Sequence, residues 1–211
     1  MTTRALAATT ARALAATIAL RADLAAIAAA VPHGARVLDV GCGDGALLAA
    51  LRAEKGVDGR GIELSGANVA AAVARGLSVV QGDADTDLRD YPDAAFDVAI
   101  LSDTLQAMRT PDAVLAELLR IARTAVISFP NFGHWRVRLS LLLRGRMPMT
   151  ATLPVPWYAT ANIHLCTVAD FRVLAAERGL TVARATFLSD GRDVTWGANW
   201  RAAQAVFVLQ R

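Results

Sequence analysis

The sequence predicts an α/β fold in which a mainly parallel sheet of seven strands is covered by helices on both faces. Strand-like apolar runs alternate with helix-like segments along the 211 residues, and this alternation is typical of parallel sheets. The first strand leads at once into three glycines at alternate positions, a turn that belongs at the carboxyl edge of such a sheet. The length suits a single domain with a sizeable core.

The seven predicted strands are short runs of valine, leucine, isoleucine, phenylalanine or alanine, most of them bounded by glycine, proline or acidic residues. They cover residues 36–40, 59–64, 77–81, 96–101, 124–129, 180–187 and 205–209. The polar, tryptophan-bearing stretch at residues 190–200 lies between the last two strands. We expect that stretch to be a loop.

Helix-like segments lie between these strands, and turn or capping residues set their ends. We expect helices over residues 14–30, 46–54, 67–75, 111–122 and 168–178. Pro32 follows the end of the first helix, and Pro111 fits the first turn of the fourth. Thr167 is expected to cap the last helix, with Asp170 in its first turn.

Two stretches depart from this regular alternation. Residues 1–19 form an alanine-rich N-terminal extension that we expect to be helical or disordered, whereas residues 20–211 form one domain. A targeting segment is the less favoured interpretation, because Arg12 interrupts its apolar run. An insertion at about residues 133–166 holds an apolar run flanked by four arginines and then three prolines. The insertion is either a partner surface or active-site cover, or a helix packed on its own domain.

Charge and cysteine content limit the possible partners and compartments. The net charge of +3 comes from interspersed charges without a basic block, so we expect no nucleic-acid partner. We expect no membrane span either, because no uninterrupted apolar run is long enough. Cys42 and Cys166 cannot form a disulfide framework, which favours a reducing, cytoplasmic location. No short spacing joins His134, His164 and Cys166, so we expect no metal site.

The glycine turn has the pattern D-x-G-x-G-x-G, from Asp39 to Gly45. A dinucleotide fingerprint reads G-x-G-x-x-G, and the early third glycine disfavours an NAD-binding oxidoreductase. The pattern resembles the first motif of class I S-adenosyl-L-methionine (SAM)-dependent methyltransferases. We therefore expect Gly41, Cys42, Gly43 and Gly45 to approach SAM or S-adenosyl-L-homocysteine closely. Asp39 can orient the loop amides or interact with the positively charged amino-acid end of that ligand.

Polar residues at the ends of the next strands complete the expected cofactor site. Glu63, followed by Leu64, ends the second strand about 20 residues after the glycine turn, where a carboxylate can accept both ribose hydroxyls. Asp83 can accept the adenine amino group after the third strand, and Ala84 offers a backbone N–H to the ring. Ser102 ends the fourth strand, beside the expected sulfonium. Each acid alone could be a surface residue, but their order at successive strand ends favours a site.

Candidate catalytic groups are fewer and less specific. Methyl transfer depends mostly on positioning, and a base is needed only where the acceptor must lose a proton. The Asn/Asp-Pro-Pro-Tyr/Phe cluster of DNA and protein amide methyltransferases is absent after the fourth strand. Asp103 or His134 could act as a base, and Asn131 and His134 could line a substrate pocket. The stretch at residues 129–136 could equally be a packed corner, so these three residues are candidates only.

Several further segments resemble one family, the methionine biosynthesis protein MetW. They are RADL at residues 21–24, the glycine turn at 37–45, LQA at 105–107, FPNFGHWR at 129–136, GRMP at 145–148, WY at 157–158 and NIHLCT at 162–167. The octapeptide is the most specific of them, because many methyltransferases share the glycine turn. Ser65 departs from the acid often found two places after the ribose carboxylate, but Glu63 itself is kept.

The resemblance implies a role in bacterial methionine biosynthesis. Proteins of this kind act alongside the homoserine O-acyltransferase MetX, so the chain is expected to be a SAM-binding accessory or regulatory subunit of that enzyme. The resemblance does not establish methyl transfer, in agreement with the absence of a decisive catalytic group. A SAM-dependent methyltransferase that acts on a small molecule is the alternative.

Overall fold

The computed structural model describes residues 21–150 and 153–210. The strands are β1 (Arg36–Val40), β2 (Asp58–Glu63), β3 (Ser78–Gln81), β4 (Phe96–Ser102), β5 (Ala122–Pro130), β6 (Thr181–Ser189), β7 (Arg192–Asp193) and β8 (Gln204–Gln210). The helices are α1 (Ala22–Ala30), α2 (Ala46–Lys55), α3 (Gly66–Ala74), α4 (Ala84–Asp87), α5 (Pro111–Ile121), α6 (Trp135–Arg144), α7 (Val168–Glu177) and α8 (Ala198–Arg201). The extension predicted at residues 1–19 lies outside the described residues.

All the strands belong to one sheet with the order β3-β2-β1-β4-β5-β8-β6-β7. The strands from β1 to β5 pair in parallel, whereas β8 runs antiparallel to both β5 and β6. The strand order reverses between β1 and β4, and ligands of open α/β sheets bind at the carboxyl ends of the strands at such a point. The predicted α/β class with a mainly parallel sheet is confirmed.

Two apolar clusters cover the two faces of this sheet. On one face, Ile27 of α1 and Leu48 of α2 belong to a buried cluster with side chains of β1 and β4. On the other face, Leu118 of α5 and Phe171 of α7 pack with Phe207 of β8, whose ring centroid lies 4.5 Å from that of Phe171. Helices therefore lie on both faces, as predicted.

The predicted count of seven strands is wrong by one, because the stretch at residues 190–200 is not wholly a loop. Ser189 of β6 pairs with Arg192 of β7. Asp190 and Gly191 connect them with φ values of 48° and 73°, and positive φ at both positions is typical of a two-residue hairpin turn. A strand of two residues is too short for an alternating apolar pattern to indicate it.

Helix α1 is fixed to the sheet domain at its C-terminal end by the only lysine of the chain. The Lys55 ammonium donates hydrogen bonds to the carbonyl oxygens of Ala28 and Val31, both at 2.5 Å. A cation at this end of a helix satisfies carbonyls that have no partner within the helix. The first residues of α1 are thereby held over the sheet, where Asp23 is 3% exposed.

The predicted cap of α7 is present as a complete capping box. The Thr167 hydroxyl accepts a hydrogen bond from the Asp170 N–H, and the Asp170 carboxylate accepts one from the Thr167 N–H. We expect Thr167→Ala to lower the free energy of unfolding by about 1 kcal/mol, the usual value of such a cap. Urea denaturation would measure the loss, and Thr167→Ser, which keeps the hydroxyl, is the matched control. Equal losses in both variants would contradict this role.

The region predicted as an insertion begins with α6 and continues irregularly. Between α6 and α7, the described residues form no helix or strand beyond a bridge from Thr150 to Leu153. Large apolar side chains are exposed here: Leu142, Leu143, Trp157, Tyr158 and Ile163. All four tryptophans of the chain, two of them outside this region, are at least 37% exposed: Trp135, Trp157, Trp196 and Trp200. None of the helices in the described part of the chain is long and apolar enough to cross a membrane.

Candidate functional site

A cavity of about 360 Å³ lies at the carboxyl ends of β1, β2, β3 and β4. Six of the residues predicted from the sequence line it: Gly41, Glu63, Leu64, Asp83, Ala84 and Asp103. Other lining residues are not indicated by the sequence, among them Thr104, Met108, Arg109 and Asn162. They follow β4 or lie within the insertion, where no spacing rule indicates a ligand contact.

The three glycines of the turn have positive φ values of 71°, 56° and 78° at Gly41, Gly43 and Gly45. A Cβ atom on Gly41 would lie 2.6 Å from the Thr104 hydroxyl oxygen, and one on Gly45 would collide with Leu77. No atom lies within 4 Å of the position that a Cβ on Gly43 would take. The turn therefore packs tightly at both ends and leaves open space at its middle glycine.

Glu63 connects the glycine turn to the following helix. Its carboxylate accepts hydrogen bonds from the N–H groups of Gly43 and Ser65, each at 2.9 Å, and from the Asn68 side-chain amide at 3.4 Å. A carboxylate offers about four lone-pair positions, so acceptor capacity remains for a further donor. This arrangement holds an anionic group beside the open middle of the turn.

Asp39 is a buried carboxylate for which the described part of the chain offers no partner. It is 2% exposed, and none of the described residues forms a hydrogen bond or ion pair with its side chain. Burial, assisted by the nearby Glu63 charge, raises the pKa of Asp39 to about 7. Buried carboxylates are normally paired, so this site favours a ligand that brings a cation or a hydrogen-bond donor.

The third strand end carries an acidic corner held by one arginine. Asp83 caps α4 by accepting a hydrogen bond from the Asp85 N–H at 3.0 Å, and it forms an ion pair with Arg109. Asp85 accepts hydrogen bonds from the N–H groups of Arg109 and Thr110 at 3.0 and 3.1 Å. Burial raises the pKa of Asp85, but these backbone hydrogen bonds outweigh it and the net pKa is lowered. Asp83 and Ala84 thus line the cavity in a fixed position.

Five predicted cofactor residues are not among those that line the cavity: Asp39, Cys42, Gly43, Gly45 and Ser102. Cys42 and Ser102 have structural partners instead. Cys42 is buried, and its sulfur lies 2.5 Å from where a Cβ on Gly61 would be, so it fills the space between β1 and β2. Burial raises the pKa of this thiol to about 12, which keeps it protonated and unreactive. The Ser102 hydroxyl lies 3.2 Å from that of Ser128 on β5.

The catalytic candidate Asn131 is 2% exposed and uses both ends of its amide. Its NH₂ group donates to the Ala202 carbonyl oxygen at 2.7 Å. Its oxygen accepts from the N–H groups of Gly133 and Val168 at 3.0 and 3.1 Å. Asn131 therefore joins the end of β5 to the start of α7 and the end of α8, and it lines neither the cavity nor a solvent-exposed surface.

The other two catalytic candidates lie in different places. Asp103 lines the cavity with a positive φ of 52° and accepts hydrogen bonds from Arg21 at 2.8 Å and Gln204 at 2.7 Å. Burial and the neighbouring Asp23 raise the pKa of Asp103. His134 lies at the start of α6 and is 5% exposed. Within the described residues, no cluster of three or more histidine, cysteine or acidic side chains could hold a metal ion.

We expect Glu63→Gln to weaken the binding of SAM by about ten- to hundredfold, because a hydrogen bond to a charged group contributes about 1.5–3 kcal/mol. The amide oxygen can still accept from Gly43, so the fold should be retained. Isothermal titration calorimetry would measure the affinity, and Glu54→Gln on the exposed surface of α2 is the matched control. An unchanged SAM affinity in Glu63→Gln would show that this carboxylate does not contact the ligand.

Solved structures with the same architecture include several SAM-dependent methyltransferases. One from Mesorhizobium loti gives a TM-score of 0.67 at 19% identity and covers 90% of this chain and 98% of that one. A TehB-like SAM-dependent methyltransferase from Corynebacterium glutamicum gives 0.62 at 21% identity, covering 99% and 97%. The [4+2]-cyclase SpnF gives 0.63 at 21% identity, covering 90% and 80%. The fold is that of class I SAM-dependent methyltransferases, and the cyclase illustrates that this fold does not fix the reaction.

Sequence comparison identifies the family more narrowly. The bifunctional methionine biosynthesis protein MetXA/MetW from Rhodopirellula baltica is 35% identical over 179 residues. That alignment covers 81% of this chain and 29% of the relative, so the chain spans less than a third of that protein. The sequence profile of methionine biosynthesis protein MetW matches residues 21–209. This chain therefore belongs to the MetW family of methionine biosynthesis proteins.

Proposed function

We propose that this protein binds SAM or S-adenosyl-L-homocysteine in the cavity at the carboxyl ends of β1 to β4. The observation that carries the proposal is the buried Asp39 carboxylate, which has no partner among the described residues and stands two residues before the first glycine of the turn. SAM carries both a sulfonium and an ammonium group, and a cation of this kind would compensate the buried charge. NAD brings no such cation to its phosphate-binding turn.

Particular residues of the chain fit particular parts of this ligand. Glu63 retains acceptor capacity for ribose hydroxyls, and the Asp83 corner can accept from the adenine amino group. The space at Gly43 would admit the ligand close to the backbone. When bound, SAM supplies an activated methyl group. The Asp103 side chain lines the same cavity, so it can contact that end of the ligand.

We further propose that the protein acts with a homoserine O-acyltransferase (MetX) as an accessory or regulatory subunit. The support is the MetXA/MetW relative, in which one polypeptide carries both names. A covalent link gives two modules a high effective concentration and suits partners that work together. Two free cysteines, Cys42 and Cys166, agree with a cytoplasmic location for such an assembly.

Coupled titrations would test both parts of this proposal separately. The affinity for SAM is measured by calorimetry with the full chain alone and with saturating homoserine O-acyltransferase from the same organism. If SAM regulates the complex, SAM changes the affinity of this protein for the acyltransferase. The acyltransferase must then change the affinity of this protein for SAM by the same factor. Equal SAM affinities in both titrations would overturn regulation but not binding, whereas no SAM binding in either would overturn the cofactor.

The alternative function is methyl transfer to a small molecule. The observation that favours it is the position of Asp103 in the cavity. Its pKa is raised toward the operating pH, where a general base is most effective. Its two oxygens are already bonded to Arg21 and Gln204, which weakens the case for a base. Labelled methyl transfer from SAM to homoserine derivatives and cell extract is the test. Full SAM occupancy without labelled product would count against a methyltransferase.

A further inference from the structure

A second cavity of about 230 Å³ lies next to the first and plays no part in the proposed function. Its lining includes Asp23, His134, Arg136 and Gln204. Pockets for drug-sized ligands usually measure about 300–1,000 Å³, so this cavity suits a smaller metabolite. The first cavity is lined by Asp103, whose carboxylate is bonded to Gln204 at 2.7 Å. One layer of side chains therefore separates the two cavities.

That layer carries more negative than positive charge. The Arg21 guanidinium donates to Asp23 and to Asp103, each at 2.8 Å. The Gln204 amide also donates to both, at 3.2 and 2.7 Å. Two carboxylates thus share one cation and one neutral donor, and Asp23 is 3% exposed. Arg21 is 63% exposed at the side chain, so water screens its charge, and the buried Asp23 carboxylate that lines the cavity favours a ligand that brings an ammonium group.

His134 and Arg136, which also line the second cavity, offer hydrogen-bond donors, although the Asp190 carboxylate lines it as well. The Nδ1 atom of His134 accepts a hydrogen bond from the Arg136 N–H at 3.3 Å. Burial and the Arg136 charge lower the pKa of His134, so the ring is neutral near pH 7. With Nδ1 as acceptor, the proton lies on Nε2.

The resulting Nε2–H group is a donor without an acceptor. Among the described residues no hydrogen bond involves Nε2, although His134 is 5% exposed and lines the cavity. Arg136 lies beside it, 54% exposed at the side chain and only loosely paired with Asp190 at 3.6 Å. Nε2 is not among the fully buried atoms that lack a partner, so it is accessible, and with Arg136 it can donate to an anionic or carbonyl oxygen of a ligand in the cavity.

We propose that the second cavity binds a small L-amino acid, with its ammonium group against Asp23 and its carboxylate against His134 and Arg136. Asp23, which shares one arginine with Asp103, then receives a further cation, and the Nε2–H group of His134 receives an acceptor. The site is separated from the cofactor cavity only by the layer of Asp23, Arg21, Asp103 and Gln204. The proposal does not depend on SAM binding, because the amino acid can be titrated alone.

Calorimetric titration of the full chain with four-carbon amino acids tests the proposal. The probes are L-homoserine, L-threonine and L-2-aminobutyrate, together with 3-aminopropan-1-ol, which lacks the carboxylate, and 4-hydroxybutanoate, which lacks the ammonium group. We expect saturable binding of at least one amino acid and a loss of about tenfold or more in both truncated analogues. No saturable binding, or equal binding of the analogues, would overturn the proposal.

Two variants and one competition locate the binding. His134→Asn keeps an acceptor for the Arg136 N–H but removes the ring donor, and Asp23→Asn removes the carboxylate. Each variant should weaken the binding of the amino acid by about tenfold or more. The control variants His33→Asn and Asp58→Asn, both on exposed surfaces, should bind it as tightly as the wild-type protein. If Asp23→Asn fails to fold, His134→Asn alone carries the test. Saturating S-adenosyl-L-homocysteine should leave amino-acid binding intact. Full competition would overturn a separate site, because the amino acid would then occupy the position of the amino-acid end of the cofactor.

Discussion

Replacing Asp39 by asparagine is expected to make the protein more stable near neutral pH and, at the same time, a poorer ligand-binding protein. The native carboxyl has a pKa of about 7 against an ordinary 3.8. Ionisation of this buried carboxyl therefore destabilises the native state. The same carboxyl is exposed to water in the unfolded chain and ionises there without this cost. At about 1.4 kcal/mol per pH unit, the gain in unfolding free energy from Asp39→Asn at pH 8 is at most about 4 kcal/mol.

The pH dependence of this effect has a definite sign. Between about pH 4 and 7, the native state holds a proton on Asp39 that the unfolded state has lost, so the wild-type protein loses stability as pH rises through this window. Below it, both states are protonated and the two proteins should be nearly equal. Urea denaturation at pH 4.5 and 8 would show the difference growing with pH. Asp58→Asn on an exposed strand end is the matched control and should show no such growth.

The same variant should bind SAM about ten- to hundredfold more weakly, because charge-assisted hydrogen bonds contribute about 1.5–3 kcal/mol. Stability and affinity thus move in opposite directions, which a simple packing defect would not produce. A variant that is less stable than wild type at pH 8, or that keeps full SAM affinity, would contradict the role assigned to Asp39.

Gly43→Ala is expected to weaken SAM binding by about a hundredfold while leaving the protein folded. The φ of 56° at Gly43 makes alanine cost about 1–2 kcal/mol of strain. No protein atom lies within 4 Å of the added methyl group, so the fold tolerates it. The methyl group would instead occupy the open middle of the turn and crowd the bound ligand. Such overpacking costs about 3 kcal/mol, which corresponds to about a hundredfold loss in SAM affinity.

Gly34 provides a closely matched control for this substitution. It also has a positive φ, 66°, with no atom within 4 Å of an added Cβ, but it lies in the exposed turn before β1. Gly34→Ala should cost a similar amount of stability, measured by urea denaturation, and leave SAM affinity unchanged in calorimetry. Equal SAM affinities in the two variants would place the ligand away from the glycine turn.

Much of the fold could be predicted from the sequence because its determinants are local. Apolar runs, Pro111 and the cap at Thr167 each act within a few residues, and the elements that they predict are present. The hairpin turn at Asp190 and Gly191 had an equally local signal, since Asp-Gly favours such turns. It was missed because the surrounding stretch is polar and β7 is only two residues long.

The site was harder to predict where it depends on residues far apart in the chain. Strand ends of a parallel sheet meet at one edge, so Glu63 and Asp83 could be placed together from their spacing. No spacing brings Arg21 and Asp103 to Gln204, which join only when α1 packs over the antiparallel β8. The buried role of Asn131 also depends on distant backbone groups, at Val168 and Ala202.

The exposed tryptophans give the protein an optical property that follows from its surface. Indole fluorescence shifts to shorter wavelength when water is removed from around the ring. Because all four rings are at least 37% exposed in the folded chain, unfolding should change the emission maximum little. Docking of a partner over Trp157 or Trp135 should shift it to the blue. Intrinsic emission would therefore report assembly more sensitively than it reports folding.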